Sequence, residues 1–376
     1  MFGSTMWISG NKAAPVIAGN LWAWGINNVG QLGFSNTVNS SSPVQVGGSN
    51  DWNNVSSDGP HFTGIRTNGT MWACGKNTDG ELGQNNVISR SDPVQIGALT
   101  NWKYASCGYN HAVAIKNDGT LWTWGGNGYG QLGVGDIASR SSPVQIGNLT
   151  TWDKVSCDSY GVMAVKTDRT LWSWGKNSFG QLGLGDIANR SSPVQVGVLT
   201  TWDTVEAEIG VGVGVKIDGT MWTWGINTFG QQGHNDTANR SSPVQVGSLN
   251  TWVLGSTGYK HMMAIKTDGT LWGCGLNGYG QLGNNTNGTS YSSPVQVGTD
   301  TNWQNVRCGI YSTFATKTDG SLWTWGKNSS GELGTSNTVQ YSSPVQVGSS
   351  SGWTLGTLGG NGNTGSFAIR KAPPPA

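Results

Sequence analysis

The sequence predicts an all-β fold, a seven-bladed β-propeller with four antiparallel strands in each blade, and three observations predict it. The dipeptides Leu21-Trp22, Met71-Trp72, Leu121-Trp122, Leu171-Trp172, Met221-Trp222, Leu271-Trp272 and Leu322-Trp323 fall 50 residues apart, with one spacing of 51. The same period carries a lone tryptophan (Trp52, Trp102, Trp152, Trp202, Trp252, Trp303, Trp353) and the proline of an SPVQ or DPVQ phrase (Pro43, Pro93, Pro143, Pro193, Pro243, Pro294, Pro344). Composition agrees: 60 Gly and 20 Trp in 376 residues, with 11% charged side chains, ask for many turns around a charge-poor aromatic core. A period near 50 built from four short apolar segments matches a propeller blade and not a helical solenoid.

Each element follows from the third unit. Trp102 to Cys107 reads as strand A, His111 to Lys116 as strand B, Leu121 to Trp124 as strand C and Pro143 to Ile146 as a short strand D. Strands B and C are joined by Asn117-Asp118-Gly119-Thr120, where Asp-Gly supplies the positive φ of a tight turn; Asn68-Gly69 and Asp168-Arg169 are variants of it. Proline opening strand D suits an outer edge, where its missing donor is not needed. The first unit begins at strand C (Leu21 to Trp24) and the last ends at strand B (Phe367 to Arg370). The ring is therefore expected to close through one composite blade, residues 353–370 with 21–47, beside six continuous blades at 52–97, 102–147, 152–197, 202–247, 252–298 and 303–348. Pro15 to Ile17 competes as a strand B ahead of Leu21, and its proline makes it the weaker competitor. Residues 1–20 and the proline-rich 372–376 belong to no blade and are candidate anchors.

Most recurrent residues read as structural. Nineteen tryptophans fall in the repeat, each able to bury about 150 to 250 Å², or roughly 4 to 6 kcal/mol before entropic costs. The repeated Asn27, Asn77, Asn127, Asn177, Asn227, Asn277 and Asn328, with the GQLG or GELG phrase, are expected to fix the long C–D loop, Asn by tolerating left-handed backbone and Gly by permitting close approach. The five cysteines fall in two slots, Cys107, Cys157 and Cys308 in one and Cys74 and Cys274 in the other, which marks small buried side chains and neither a disulfide framework nor a metal cage. His61, His111 and His261 open strand B, where a hydrogen-bonded structural role is expected; His234 lies elsewhere. Asp136, Asp186 and Asp236 are each followed four residues on by Arg140, Arg190 and Arg240, a pattern of loop pairing.

Composition also narrows the function. A net charge of +1 gives no clustered field for nucleic acid or an anionic membrane. The first 20 residues hold one basic side chain, Lys12, and no signal-peptide core, and no 18-residue apolar stretch occurs, so a soluble protein is expected. No nucleophile, base and orienting group can be assembled, so neither catalysis nor a cofactor or metal is expected. Binding remains. The up-and-down strand order sends the A–B and C–D loops to one face and the B–C and D–A turns to the other. The turn face is nearly uniform. The loop face varies, with Tyr109 and Asn110, Ser159 and Tyr160, Glu208 and Ile209, Tyr259 and Lys260, and Ile310 and Tyr311 in the A–B loops, and Tyr129, Phe179, Phe229 and Tyr279 in the C–D loops. Varied, tyrosine-rich tips on near-identical units suit recognition of a protein or a surface glycan. The plainer alternative is ordinary solvated loops whose aromatics pack on neighbouring blades.

The unit Trp102 to Gly147, with CGYNHAVAIKNDGTLWTWGGNGYGQLG at its centre, resembles the regulator of chromosome condensation repeat, a family of seven-bladed propellers. Gly108, His111, Asp118-Gly119, Trp124-Gly125, Asn127 and Gly130-Gln131-Leu132-Gly133 stand in the family's order, and the resemblance covers about residues 20 to 371. It implies the fold; family members perform unrelated tasks on it. Members that exchange guanine nucleotide on a small GTPase use a wedge-like insertion in one blade and a basic tail, whereas every unit here is 50 or 51 residues and residues 1–20 are not basic. The ultraviolet photoreceptor of this fold carries its tryptophans in a loop motif absent here. Units so alike, and so rich in Asn, Ser, Thr and Gly, resemble bacterial or bacteriophage members. The expectation is a non-enzymatic recognition module, with a surface component of a phage particle in host attachment as the leading setting. Its rival is an inhibitor or regulator capping a partner enzyme or small GTPase, as a propeller β-lactamase inhibitor resembling this family does.

Overall fold

The computed structural model describes residues 18–355 and 365–371. Residues 1–17, Pro15 to Ile17 among them, and the 372–376 tail lie outside the described residues, whereas Gly19 and Asn20 of the extension are drawn into the ring. The described elements are 28 strands in seven four-stranded antiparallel sheets, each ordered A-B-C-D. In the third blade the strands are Trp102–Cys107, His111–Lys116, Leu121–Gly125 and Arg140–Gln145. The composite blade is blade 1 below, and blades 2 to 7 begin at Trp52, Trp102, Trp152, Trp202, Trp252 and Trp303.

Strand A is innermost, because strand A of each of blades 2 to 7 lies against strand A of the next blade. Serines stitch these inner strands: Ser56 Oγ accepts the amide of Cys107 at 2.8 Å, Ser106 that of Cys157 at 3.0 Å, Ser156 that of Ala207 at 3.1 Å and Ser256 that of Cys308 at 3.0 Å. A second stitch runs from strand C to the preceding blade. The indole N–H of Trp24 donates to Glu332 O at 2.8 Å, that of Trp124 to Glu81 O at 2.8 Å, that of Trp174 to Gln131 O at 3.0 Å, that of Trp224 to Gln181 O at 2.8 Å and that of Trp325 to Gln281 O at 2.9 Å. Cys74 and Cys274 fill the same slot in the remaining two blades, and all five cysteines are buried and free.

The ends meet as the order of segments requires. Asn20–Gly25 pairs with Gly365–Arg370 over six residues, from Asn20 with Arg370 to Gly25 with Gly365, with Ser40–Gln45 and Trp353–Leu355 outside them. The place of strand B beside Asn20–Gly25 is thus held by the C-terminal segment. Gly19 adds a two-way bridge to Trp52 of the next blade, with N···O distances of 3.2 and 3.1 Å.

Two local expectations need correction. Strand D begins three residues before its proline: Pro143 stands inside Arg140–Gln145, where the register shifts between Arg140 and Val144. A bulge frees that residue from donating to the ladder, so proline is tolerated within the strand. The repeated asparagines act through their side chains. None of the seven has a positive φ, whereas Gly130 and Gly133 do, at 81° and 69°. Asn127 Oδ1 accepts the amide of Leu132 at 2.9 Å, and its Nδ2 donates to Asp136 O at 3.0 Å and Ala138 O at 3.1 Å, which folds the C–D loop around one buried amide group. In the turns, Gly119 is at φ 78°, and a Cβ there would stand 2.2 Å from Thr150 O. Arg169 takes the same conformation at φ 64°, and its guanidinium donates to Asp203 Oδ1 at 3.2 Å.

One recurrent device was not foreseen. Lys116 Nζ lies 3.6 Å from the ring centre of Trp122 and 4.9 Å from that of Trp102, and Lys166, Lys216, Lys266 and Lys317 repeat the clamp. Arg66 and Arg370 take its place in the other two blades. A cation between indoles contributes about 0.5 to 2 kcal/mol.

The two readings of the asparagines part on one substitution. Asn127→Gly retains every backbone freedom and removes three hydrogen bonds made by one buried side chain, so it is expected to lower the unfolding free energy by about 2 kcal/mol or more in chemical denaturation. A variant as stable as the parent would restore the left-handed reading.

Candidate recognition face

In blades 2 to 7 the A–B tip is tied to the C–D loop of its own blade. Gly126 N donates to Asn110 O at 2.7 Å, and Gln131 Nε2 donates to Asn110 Oδ1 at 3.2 Å, so Asn110 serves the loop frame as much as the surface. This tie places Tyr109, Tyr129 and Tyr160 together. Tyr160 of blade 4 meets Tyr109 at 5.8 Å and Tyr129 at 5.3 Å between ring centres, both edge to face. Lys176 Nζ lies 4.9 Å from the Tyr129 ring centre and 5.2 Å from that of Tyr160, and Lys76 lies 5.7 Å from that of Tyr109. Three blades on, Tyr311 meets Tyr259 at 6.1 Å and Tyr279 at 5.0 Å, and Lys260 lies 4.4 Å from the Phe229 ring centre and 4.6 Å from that of Tyr259. Burial, and then the neighbouring phenols, hold the Tyr160 and Tyr311 hydroxyls above their ordinary pKa. They remain protonated donors.

The remaining candidates divide. Phe179 is 43% exposed at its C–D tip, beside Tyr129 at 39% and Tyr279 at 37%. Ile310 is half-buried next to Tyr311, and Ile209 is half-buried in a turn with φ of 29°. Glu208 is a correction. The fifth blade's strand A runs one residue longer, Trp202–Glu208, and buries Glu208 to 5% exposure instead of presenting it on a loop.

There Glu208 joins Asp58 and Asp158, 3% and 4% exposed, which hold the same repeat position in blades 2 and 4. Gly108, Gly258 and Gly309 fill it in blades 3, 6 and 7. Burial raises the Asp158 carboxyl to about 6, against the amide of Gly210 at 3.2 Å and the charge of Lys176. Burial and the proximity of Asp58 push Glu208 well above the usual carboxylate range. Two residues deeper, Glu206 of blade 5 reaches past blade 6 to Arg307 of blade 7 at 2.5 Å, at the slot that holds serine in blades 2, 3, 4 and 6. The signal for this interior was a charged residue at a position otherwise Gly or Ser. Among the described residues no group of three His, Cys, Asp or Glu is placed to hold a metal ion.

The histidines also divide. His261 Nε2 is 3.0 Å from Thr313 Oγ1 of the next blade. His61 has no partner on either ring nitrogen, because Ala112 stands where Thr313 does. Burial lowers both to a pKa of about 3, so both are neutral. The loop pairs are as expected: Asp136 with Arg140 at 2.7 Å, Asp186 with Arg190 at 2.5 Å and Asp236 with Arg240 at 2.7 Å.

Seven sheets of one strand order, closed through the chain ends and varied on one face, define a β-propeller with four strands per blade. The regulator of chromosome condensation (RCC1) repeat matches residues 18–57, 68–115, 118–165, 169–212, 218–265, 268–316 and 319–361, and the chain belongs to that family. No curated protein matches the sequence. Among solved structures, Prp20p from Saccharomyces cerevisiae is similar at 16% identity and a TM-score of 0.85, over 98% of this chain and 94% of that one; its structure was described with its binding properties to Gsp1p and histones. Human WBSCR16 is similar at 18% identity and a TM-score of 0.82, over 94% and 99%. Yeast RCC1 bound by Kap60 gives 16% and 0.84, over 96% and 90%. At these identities the likeness is one of fold.

The buried carboxylates give a pH-dependent prediction. A carboxyl whose folded pKa is raised binds its proton more tightly in the folded state, so stability rises as pH falls through the folded value toward the unfolded one. Glu208→Gln removes that charge. It is expected to be more stable than the parent at pH 8 by roughly 1 kcal/mol or more, with the gap closing near pH 4. Urea unfolding at both values measures it, and a destabilised variant at pH 8 would contradict it.

Proposed function

We propose that this protein is a non-enzymatic recognition scaffold that holds a protein or a glycan against the face built by its A–B and C–D loops. The observation that carries the reading is the concentration of sequence variation and tyrosine on that face, over blades whose other face repeats one turn. In all six continuous blades the turn is the same network: a hydroxyl (Thr70, Thr120, Thr170, Thr220, Thr270 or Ser321) donates to the Asn or Asp two residues earlier and accepts the indole N–H two residues later. Propellers of similar fold offer precedent, since Prp20p was described with its binding to Gsp1p and histones. Nucleotide exchange is not part of the reading, because units of 50 or 51 residues leave no blade an inserted wedge. Nucleic acid is not either, because a net charge of +1 supplies no field for phosphate.

The setting we favour is the surface of a phage particle, on the uniformity and Asn, Ser, Thr and Gly content of the units. A soluble inhibitor or regulator that caps one enzyme or GTPase is the competing setting. Mass spectrometry of the purified native assembly separates them: recovery inside virions supports the first, recovery with one soluble enzyme the second. The face itself is tested by replacing Tyr109, Tyr160, Tyr259 and Tyr311 with Ala. Partner affinity is expected to fall by about tenfold or more, while the thermal midpoint drops by only a few degrees. Unchanged affinity would remove the face from the account.

A further inference from the structure

The tyrosines of the loop face are a duplicated set. Tyr109, Tyr129 and Tyr160 recur as Tyr259, Tyr279 and Tyr311, at three matching positions: the first tip residue of an A–B loop, the C–D loop of the same blade, and the second tip residue of the following blade. In both sets the residue from the following blade is the hub that touches the other two. The sets stand three blades apart, in blades 3 and 4 and in blades 6 and 7. Between them the positions hold other residues, such as Ser159, Phe179 and Ile209, so the triad is not a property of the repeat itself.

Each set also holds a cation with no carboxylate at ion-pair distance among the described residues. Lys176 lies over Tyr129 and Tyr160, and Lys260 over Phe229 and Tyr259. Lys76, the other cation at the first set, is already taken by Glu81 at 3.1 Å and Asp79 at 3.5 Å. Asp158 feels the charge of Lys176, but it is buried beneath the face.

We infer that the two triads are subsites of like tyrosine geometry for a single acidic polysaccharide, each stacking one sugar ring on tyrosine and pairing its carboxylate with a lysine supplied from a different position, Lys176 after strand C in the first and Lys260 at an A–B tip in the second. The inference rests on the recognition reading above and narrows its partner to an anionic glycan. One chemistry presented twice fits a polymer that presents one unit repeatedly, whereas an ordinary folded protein surface offers no such repeat. Tyrosine suits the sugar, because its ring meets C–H faces, its hydroxyl donates to sugar hydroxyls, and few rotamers are frozen. The lysines supply what a neutral sugar would not need. Two subsites on one chain raise the affinity over either alone by an effective-concentration factor.

The test is calorimetry with the full-length protein against sodium polygalacturonate, sodium alginate and sodium hyaluronate, with neutral dextran and poly-glutamate as comparisons. At least one acidic polysaccharide is expected to bind, and dextran and poly-glutamate to bind at least about tenfold more weakly. Tyr160→Ala or Tyr311→Ala alone should weaken binding about tenfold or more through lost bivalency, and the pair should reduce it to the dextran level. Lys176→Gln with Lys260→Gln should flatten the salt dependence. Tyr160→Phe and Tyr311→Phe keep the ring packing and should give a smaller loss, which separates recognition from folding. Binding of none of the three polysaccharides, equal binding of poly-glutamate, or an unchanged double-alanine variant overturns the inference. In the first of these cases the wider reading still stands if the native partner is lost on the four-tyrosine change.

Discussion

The structure depends on the closure of the ring by its own two ends. No blade buries its tryptophans alone: the strand-C indoles bond to the preceding blade, the inner serines bond to the following one, and each apolar cluster is shared across a blade boundary. Such a chain of blades is stable only when the first and last also meet, and Asn20–Gly25 beside Gly365–Arg370 supplies that meeting with Trp24 bonded to Glu332 of the last continuous blade. Closure also removes the exposed sheet edge that an open array would present.

Within that ring the two faces are built differently. On the turn side, hydroxyl, carboxylate or amide, indole and cation are joined into one short network in each continuous blade, which leaves little that could vary. On the loop side a single asparagine organises the long C–D loop from inside, so the tip side chains can differ from blade to blade, although Asn110 also ties the two loops together. The interior beneath that side departs from the scaffold logic, with Asp58, Asp158 and Glu208 buried and Glu206 half-buried against one cation, Arg307. Burying carboxylates with partial compensation is destabilising at neutral pH.

Strands A, B and C were legible because the period and the apolar segments leave one solution: Trp102–Cys107 and His111–Lys116 stand where the sequence puts them. Strand D was displaced because a bulge, which has no local signature beyond the proline itself, brings Arg140 into the ladder. The candidate tyrosines were legible as residues. Their meeting was not, because it joins Tyr160 of one blade to Tyr109 and Tyr129 of the blade before it, a relation set by ring geometry. Glu208 was misplaced because its repeat position turns inward whatever the strand length, as Asp58 and Asp158 show just past the ends of shorter strands. The lysine clamps went unread because Lys116, Trp102 and Trp122 stand on three different strands and meet only when those strands pair.

Hydrogen exchange at the closing blade tests the central claim most directly. If the ends hold the ring, amides in the ladder between Asn20–Gly25 and Gly365–Arg370 exchange only through the same global opening as those of Leu121–Gly125 in the third blade. Exchange of the closing strands at a far lower opening free energy, with the other six blades still protected, would contradict the account.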